Sequence, residues 1–354
     1  MTINAWENWA DRWSLAPDKP TTALTIDVHT HVKVPEAAEL AMTQYSPELD
    51  PRSLYSSEET NELNRAYHRS VAERFTDPDT RLRDMDIMGV DVQAIALAPP
   101  QYFYWLDERR ALEVAQMQND QIAAIAHGRP ERFRGIGTLP LAHPNAAVTE
   151  AERLHGDLGM RGIEIGTDVV GADLDDPKFE PVWEALAGLG IVVILHPAGF
   201  TEGQRLTDYY LVNVIGLPLS STLAVTRLIL GGVFERHPEL RMLVVHGGGY
   251  LPFYSARTDH AFRHRPEMRK HIDRLPSEYL ANIWFDSTVF APDLLETLVQ
   301  AYGPDRVLMG TDYPFDMGQG NPIDFIRSAG LSDAEHAMIL GKNANQLFGF
   351  GLRE

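Results

Sequence analysis

Eight short apolar runs, rich in β-branched residues, alternate with helix-patterned segments along almost the whole chain. Strict alternation of strand and helix favours a parallel sheet with helical crossovers, because parallel neighbours cannot be joined by a tight turn. Eight such units in 354 residues predict an α/β fold, a (β/α)8 TIM barrel, rather than an open doubly wound sheet. The predicted strands are Leu24–Thr30, Val90–Ala98, Phe133–Leu139, Met160–Gly166, Ile191–His196, Arg241–His246, Asn282–Ser287 and Arg306–Thr311.

The longest segment without a predicted strand, residues 32–90, separates the first strand from the second. Two stretches within it, Ser57–Arg74 and Thr80–Met88, have the apolar spacing of helices. Long insertions in compact domains are usually functional, and in a barrel they gather around the mouth. We therefore expect residues 32–90 to form a helical lid over the barrel.

Residues 1–22 precede the first strand and contain Trp6, Trp9 and Trp13 at helical spacing. This pattern predicts an amphipathic helical extension that packs on the body or on a partner subunit, and we assign it no chemistry. No repeat, low-complexity tract or linker composition interrupts the chain. Residues 1–354 are therefore expected to form a single domain.

The charge balance restricts the partners of the chain. Lys and Arg together number 31 against 50 Asp and Glu, which gives a formal net charge of −19 at pH 7. Such an acidic balance argues against nucleic acid and anionic membrane as partners. No run approaches the roughly 18 consecutive apolar residues of a membrane helix, and the N-terminus lacks the pattern of a signal peptide. These features predict a cytoplasmic protein.

The chain contains no cysteine and thirteen histidines. The absence of cysteine excludes disulfides, thiolate metal sites and a cysteine nucleophile. Any metal must therefore be held by nitrogen and oxygen ligands. Four histidines stand at predicted strand ends, and the other nine, His68 among them, fall mostly in helical or loop segments, where we expect surface positions.

Histidines end three of the predicted strands, and an aspartate ends a fourth. His29 and His31 are two residues apart on the first strand, so their side chains project to the same face. His196 and His246 end the fifth and sixth strands, and Asp312 follows the eighth. Because barrel active sites lie at the C-terminal ends of the strands, we expect these residues to meet at the mouth. Imidazole and carboxylate ligands predict a Zn²⁺ or Mn²⁺ site.

Four segments resemble the signature motifs of the amidohydrolase superfamily: IDVHTH, ILHP, VVHGGGYLPFYSAR and VLMGTDYPF. Their order and spacing are similar to those of its 2-amino-3-carboxymuconate-6-semialdehyde decarboxylase-like branch. Two further segments, RLRDMDIMGVDVQAIAL and GGVFERHPELRMLVVHGGG, extend the similarity, which runs from the first strand to the C-terminus.

The resemblance implies a role for each residue at the predicted mouth. His29, His31, His196 and Asp312 would bind one divalent metal ion, with Zn²⁺ as the expected ion and Mn²⁺ as the alternative. His246 would stand beside the metal as the acid/base that handles the proton of metal-bound water, with Asp312 sharing in catalysis.

Some superfamily members bind two metal ions and bridge them with a carboxylate from the fourth strand. Glu164 stands on that strand in this chain. We expect it to be a buried structural carboxylate and the site to be mononuclear, with a bridging role as the alternative.

The resemblance also implies how a substrate would be held. It places Arg257 on the substrate carboxylate, reaching in from the neighbouring subunit of a homodimer. Arg69 aligns with a substrate-binding arginine of the branch, and Arg65 aligns with a second basic residue. A surface or ion-pairing role is the alternative for all three side chains.

The resemblance and the metal site together predict a non-oxidative decarboxylase of an unsaturated or aromatic carboxylic acid. The alternatives are a metal-dependent hydrolase of an ester, lactone or amide, a hydratase, and a barrel that keeps metal for stability alone. The same metal core serves all three reactions, so the fold does not choose among them. Ala198–Phe200 and Tyr209–Tyr210 depart from the branch pattern where substrate should lie, so we expect a different acid.

Overall fold

The computed structural model describes residues 10–45, 55–200 and 202–353. At its centre is an eight-stranded sheet in which every neighbouring pair is parallel and the strands follow chain order. All eight predicted strands are confirmed, most of them shorter than expected. They are β1 (Ile26–Val32), β2 (Val92–Leu97), β3 (Phe133–Gly137), β4 (Gly162–Ile165), β5 (Val192–Leu195), β6 (Arg241–Val244), β7 (Ile283–Asp286) and β8 (Val307–Leu308).

The chain after β8 returns to β1 and closes the sheet. Thr30 pairs in parallel with Tyr313. The backbone N–H of His31 donates to the carbonyl of Tyr313 at 2.7 Å, and that of Asp312 donates to the carbonyl of His29 at 2.8 Å. These bonds confirm the predicted (β/α)8 barrel, and they tie the segment that carries Asp312 directly to the strand that carries both N-terminal histidines.

Helices surround the sheet and connect its strands. The bounds are α1 (Pro35–Met42), α2 (Glu58–Ser70), α3 (Ala72–Thr76), α4 (Pro78–Met88), α5 (Glu108–Gly128), α6 (Pro144–Gly156), α7 (Glu180–Leu189), α8 (Leu217–Leu230), α9 (Val233–Arg236), α10 (Leu251–His264), α11 (Pro292–Tyr302), α12 (Pro322–Ser328), α13 (Asp333–Ala337) and α14 (Asn343–Phe348). The segment between β1 and β2 contributes α1 to α4, and α2 and α4 overlap its two predicted helices.

Strand side chains are buried in two apolar clusters. The smaller cluster joins strand residues such as Val28, Val192 and Leu243 to Leu347 and Phe348 of α14. The larger cluster joins the remaining strand residues to the surrounding helices. Alternate residues of a strand point to opposite faces, so most strands contribute to both clusters.

The described part of the N-terminal extension is helical only at Ala10–Ser14, a short 3₁₀ turn. Trp6 and Trp9 lie outside the described residues. Trp13 is fully buried, and its ring packs edge-on against Tyr313 with centroids 4.9 Å apart. The extension therefore packs on the barrel next to the segment that closes the sheet.

One helix in the described ranges, Val212–Leu230, is long and apolar enough to cross a membrane by length and composition alone. It comprises a π-helical turn, Val212–Gly216, followed by α8. Within its most apolar window, 44% of the residues are buried, and Val225 and Leu228 belong to the larger apolar cluster. It packs as an outer helix of the barrel, and four of its apolar side chains, Val214, Ile215, Leu219 and Leu223, are exposed.

Candidate metal centre

Four of the predicted mouth residues converge on one point. His29, His31, His196 and Asp312 are all buried, and one potential ligand atom from each lies within 4.8 Å of the others. Nε2 of His31 is 3.1 Å from Oδ1 of Asp312, and Nε2 of His29 is 3.3 Å from the same oxygen. We refer to these residues as the four-residue group. Strand-end spacing predicted that these residues would lie at the barrel mouth, and the resemblance implied them as the ligands.

The donor set of the four-residue group fits a divalent ion. Within the described part of the chain, the buried Nε2 atoms of His29 and His196 make no hydrogen bond. Buried polar atoms without partners are costly and rare in folded proteins. Three imidazole nitrogens and one carboxylate oxygen match the ligands that Zn²⁺ and Mn²⁺ accept. A bound ion would provide both Nε2 atoms with a partner.

The two carboxylates around His29 shape the charge of the group. Burial alone would raise the pKa of Asp312, but the positive charge of His29 and the nearby His196 and His246 outweigh burial and hold that pKa well below its usual range. Burial alone would lower the pKa of His29, but Asp312 and Asp286 outweigh it and raise that pKa well above its usual range. Metal ions bind neutral imidazole, so metal binding must displace a proton from His29.

The other two imidazoles are held in the neutral form. Burial lowers the pKa of His31 to about 4, against the opposing effect of Asp312. Burial also lowers the pKa of His196 well below its usual range. Neutral imidazole is the form that coordinates metal, so these two side chains are ready to bind at neutral pH.

Asp286, at the end of β7, orients His29 from behind. Its Oδ2 lies 2.6 Å from Nδ1 of His29, and its Oδ1 accepts the backbone N–H of Gly247 at 2.7 Å. A carboxylate on the far nitrogen of a ligating histidine fixes the ring and its tautomer. We did not identify Asp286 from the sequence, although it lies within the predicted strand Asn282–Ser287 and the strand-end criterion applies to it.

His246 stands beside the four-residue group, as predicted. Its Nε2 is 3.7 Å from Oδ2 of Asp312, and its ring centroid is 4.9 Å from that of His196. The backbone of His246 has φ of 56°, in the left-handed region that non-glycine residues seldom adopt. Gly247 follows with φ of 59°, and a Cβ there would collide with Val289. Strained backbone of this kind is concentrated at functional sites.

A cavity of about 870 Å³ opens next to these residues, and His196, His246 and Asp312 form part of its wall. Most of the remaining wall is aromatic or apolar. Its aromatic side chains are Tyr45, Tyr210, Tyr250, Phe253, Phe290 and Phe315. This size, with few polar groups among aromatic walls, is typical of a site for a small molecule.

The structure brings one of the three predicted arginines into this cavity. Arg65 of α2 lines it, although its guanidinium also pairs with Glu58 at 2.8 Å. Arg69 and Arg257 are exposed and are not part of the wall. His68 lines the cavity instead of Arg69, contrary to our expectation of a surface position.

Helical phase accounts for the position of His68 in the cavity wall. The cavity-lining residues of α2 are Asn61, Asn64, Arg65 and His68, which recur at the three- and four-residue intervals of one helix face. Arg69 lies about 100° from His68 but only about 40° from Arg65 around the helix axis, so helical phase alone does not explain why it is absent from the wall. The spacing of these four polar residues in the sequence could have identified this face of α2 as the one that lines the cavity.

Glu164 lies behind the four-residue group, outside the cavity wall. Its Oε1 is 3.8 Å from Nδ1 of His31 and accepts a hydrogen bond from the hydroxyl of Tyr102 at 2.8 Å. Burial raises the pKa of Glu164 to about 8, against the effects of His29 and Tyr102. The bond to Tyr102 supports the structural role that we expected, whereas Oε2 of Glu164 makes no hydrogen bond to a described residue.

Together, the closed parallel barrel and the cluster of three histidines and one aspartate at its strand ends define a metal-dependent barrel enzyme. The chain belongs to the amidohydrolase family, whose sequence pattern matches residues 26–350.

Individual relatives agree with the resemblance found in the motifs. The chain is 34% identical over 333 residues to the 2-amino-3-carboxymuconate-6-semialdehyde decarboxylase of Dictyostelium discoideum, with 92% of each chain covered. It is 29% identical to the γ-resorcylate decarboxylase of Rhizobium sp. (strain MTP-10005), covering 80% of this chain and 90% of that one. The structure of 5-carboxyvanillate decarboxylase from Sphingomonas paucimobilis has a TM-score of 0.82 at 26% identity, covering 93% and 99%.

Proposed function

We propose that this chain catalyses the metal-dependent, non-oxidative decarboxylation of an unsaturated or aromatic carboxylic acid. The observation that carries the proposal is that His196 and Asp312 of the four-residue group, together with His246, line an aromatic-walled cavity. The three relatives described above are named as decarboxylases of acids of this kind.

In this proposal, His29, His31, His196 and Asp312 hold one divalent ion, Zn²⁺ by preference and Mn²⁺ as the alternative. When bound, the ion would supply Lewis-acid polarisation and lower the pKa of a coordinated water. Asp286 keeps the His29 ring in the orientation that presents Nε2 to the ion. Glu164 takes no part in coordination.

His246 would deliver the proton that decarboxylation requires. Decarboxylation breaks the bond between the carboxylate carbon and its neighbour, releases CO₂ and leaves an electron pair on the neighbour that must take up a proton. The His246 side chain is 16% exposed and lines the cavity, so its ring reaches both substrate and solvent. Asp312, 3.7 Å away, would stabilise the imidazolium before it delivers that proton.

The cavity wall also contains the groups that would hold the acid. Arg65 is the arginine of this wall, and its charge-assisted bond to a carboxylate would compete with its surface ion pair to Glu58. Arg69 stays a predicted substrate contact that would require a rotation or shift of α2. We include residues 32–90 in the proposal as the lid of a single domain, because α2 supplies part of the wall.

The proposed contact between Arg257 and the substrate requires a homodimer. An apolar patch beside the cavity includes Phe253 and Tyr254 of α10 together with Phe290 and Leu294, and Tyr254 is 65% exposed. Phe253, Phe290 and Leu294 also line the cavity, so the patch lies at its rim. Arg257 is one helical turn beyond Phe253 on α10. A second copy covering the patch would place Arg257 near the partner's cavity.

Co-expression of two inactive variants tests this shared site. Arg257→Ala and His196→Ala are each expected to have little activity alone. In a mixed dimer, the Arg257→Ala subunit keeps its metal ligands and receives Arg257 from its partner, so roughly a quarter of the wild-type sites should be active with random pairing. Decarboxylation by the purified mixture is the measurement.

Arg263→Ala is the matched control, because Arg263 is also exposed on α10. This variant should be active alone. A mixture of Arg257→Ala and His196→Ala that shows no more activity than its components would contradict a site completed across a dimer interface.

The proposed reaction is tested with a panel of aromatic and muconate-type acids. The protein, loaded with Zn²⁺ or Mn²⁺, should release CO₂ from at least one acid and form a product that has lost one carboxylate and gained one hydrogen. Elemental analysis of the same samples should find one ion per chain, and chelated protein is the control. Products that gain the elements of water without CO₂ release would identify a hydrolase or hydratase instead.

The cytoplasmic location of the protein stays a prediction.

A further inference from the structure

Two polar side chains of the cavity wall, Tyr210 and Asp316, have no part in the proposed chemistry. The hydroxyl of Tyr210 donates to the carboxylate of Asp316, 2.9 Å from Oδ2 and 3.1 Å from Oδ1. Tyr210 comes from the segment after β5, and Asp316 follows Asp312 by four residues in the segment after β8. Two separate loops therefore meet in one hydrogen-bonded pair that faces the cavity beside the metal centre.

The N-terminal extension holds the Asp316 side of the pair in place. The guanidinium of Arg12 donates to the backbone carbonyls of Asp316 and Gly318. The ring of Trp13 occupies the space that a Cβ at Gly318 would need. A polar group fixed in this way before ligand binding loses little conformational freedom when the ligand arrives.

The Tyr210 side of the pair has an unusual backbone. Tyr209 and Tyr210 have φ values of 58° and 62°, two consecutive non-glycine residues in the left-handed region. Their side chains then diverge: Tyr209 is 89% exposed, whereas Tyr210 lines the cavity. Strained backbone persists where the surrounding structure enforces it, and it is concentrated at functional sites.

The electrostatics of the pair favour a ligand group that donates hydrogen bonds. Among the described residues, the negative charge of Asp312 and the positive charge of Arg12 both act on Asp316, and the Arg12 guanidinium bonds to backbone carbonyls. Burial raises the pKa of Asp316, and the hydrogen bond from Tyr210 opposes that shift. A carboxylate offers about four acceptor positions, so Asp316 keeps acceptor capacity after bonding to Tyr210.

We propose that Tyr210 and Asp316 form a subsite that accepts a hydrogen bond from a hydroxyl or amino substituent of the acid substrate. The inference rests on the proposed function in taking a carboxylic acid as the ligand. Repulsion by Asp316 keeps the acid's own carboxylate away from this subsite, so the donor group must be a second substituent. The pair thereby selects acids that carry a free hydroxyl or amine over those in which it is blocked.

Matched ligands test the subsite without requiring turnover. Isomeric hydroxybenzoic acids and their methyl ethers share ring and carboxylate but differ in the donor. Their dissociation constants are measured by calorimetry on metal-loaded wild type and on the Asp316→Asn and Tyr210→Phe variants. Wild type should bind at least one hydroxy acid about 10- to 100-fold tighter than its methyl ether, as a hydrogen bond to a charged group implies. Asp316→Asn should reduce this preference to about 3-fold or less, and Tyr210→Phe should reduce it partly.

Two neighbouring residues of the same loop supply the controls. Asp208→Asn and Tyr209→Phe repeat the two substitutions on exposed side chains outside the cavity wall and should preserve the wild-type preference. A preference that survives Asp316→Asn, or wild-type protein that binds no hydroxy acid better than its ether, would overturn the subsite. If no acid yields CO₂ while the preference still depends on Asp316, the proposed reaction is wrong and the subsite is supported.

Discussion

Replacing His246 with asparagine is expected to lower kcat by about 10²- to 10⁴-fold, because asparagine cannot carry the proton that the imidazole would deliver. Metal content and Tm should stay at wild-type values. His246 lies outside the four-residue group, with Nε2 3.7 Å from Asp312, and its Nδ1 makes no hydrogen bond to any described residue. Steady-state kinetics, elemental analysis and thermal melting of the same preparation provide the three measurements.

The control is His127→Asn, which makes the same change at an exposed position near the end of α5. It should leave kcat within about 2-fold of wild type, as most surface substitutions do. If His246→Asn kept its kcat, His246 would have no place in proton transfer. If the variant lost its metal, His246 would be a ligand rather than an acid/base.

The barrel and the four-residue group could be predicted from the sequence for the same reason. Apolar β-branched runs identify strands, and a parallel barrel brings the C-terminal ends of all its strands to one rim. His196 and Asp312 are more than a hundred residues apart in the chain, yet closure of the sheet makes them neighbours. Strand order was therefore enough to bring these strand-end residues to one rim, whereas the choice of ligands among them came from the resemblance.

Positions outside the strands were less predictable, because they depend on helical phase and on contacts between distant segments. Correct placement of α2 did not determine whether His68 or Arg69 faces the cavity. The packing of Trp13 against Tyr313 joins residues three hundred positions apart, and nothing in the local pattern specifies that partner. Spacing indicates that a face is apolar, whereas the partner is set by the tertiary fold.

Asp286 was missed for a different reason. It ends its strand as the ligand residues end theirs, and only its side-chain contacts separate a residue behind the metal from one that binds it. Sequence spacing places carboxylates at a rim. It does not show which oxygen faces the ion and which faces a ligating histidine.

Asp286→Asn is therefore expected to weaken metal binding by about 10- to 100-fold, although Asp286 is not among the four-residue group. The amide preserves the size of the side chain and can still accept from either His29 or Gly247, but it lacks the charge that fixes the His29 ring. Competition with a chelator measures the affinity, with all proteins compared at the same pH because metal binding displaces a proton from His29. Asp259→Asn, a buried carboxylate bonded to Ser277 instead of a histidine, should bind metal as wild type does. Equal affinities in the two variants would show that Asp286 does not orient the ligand.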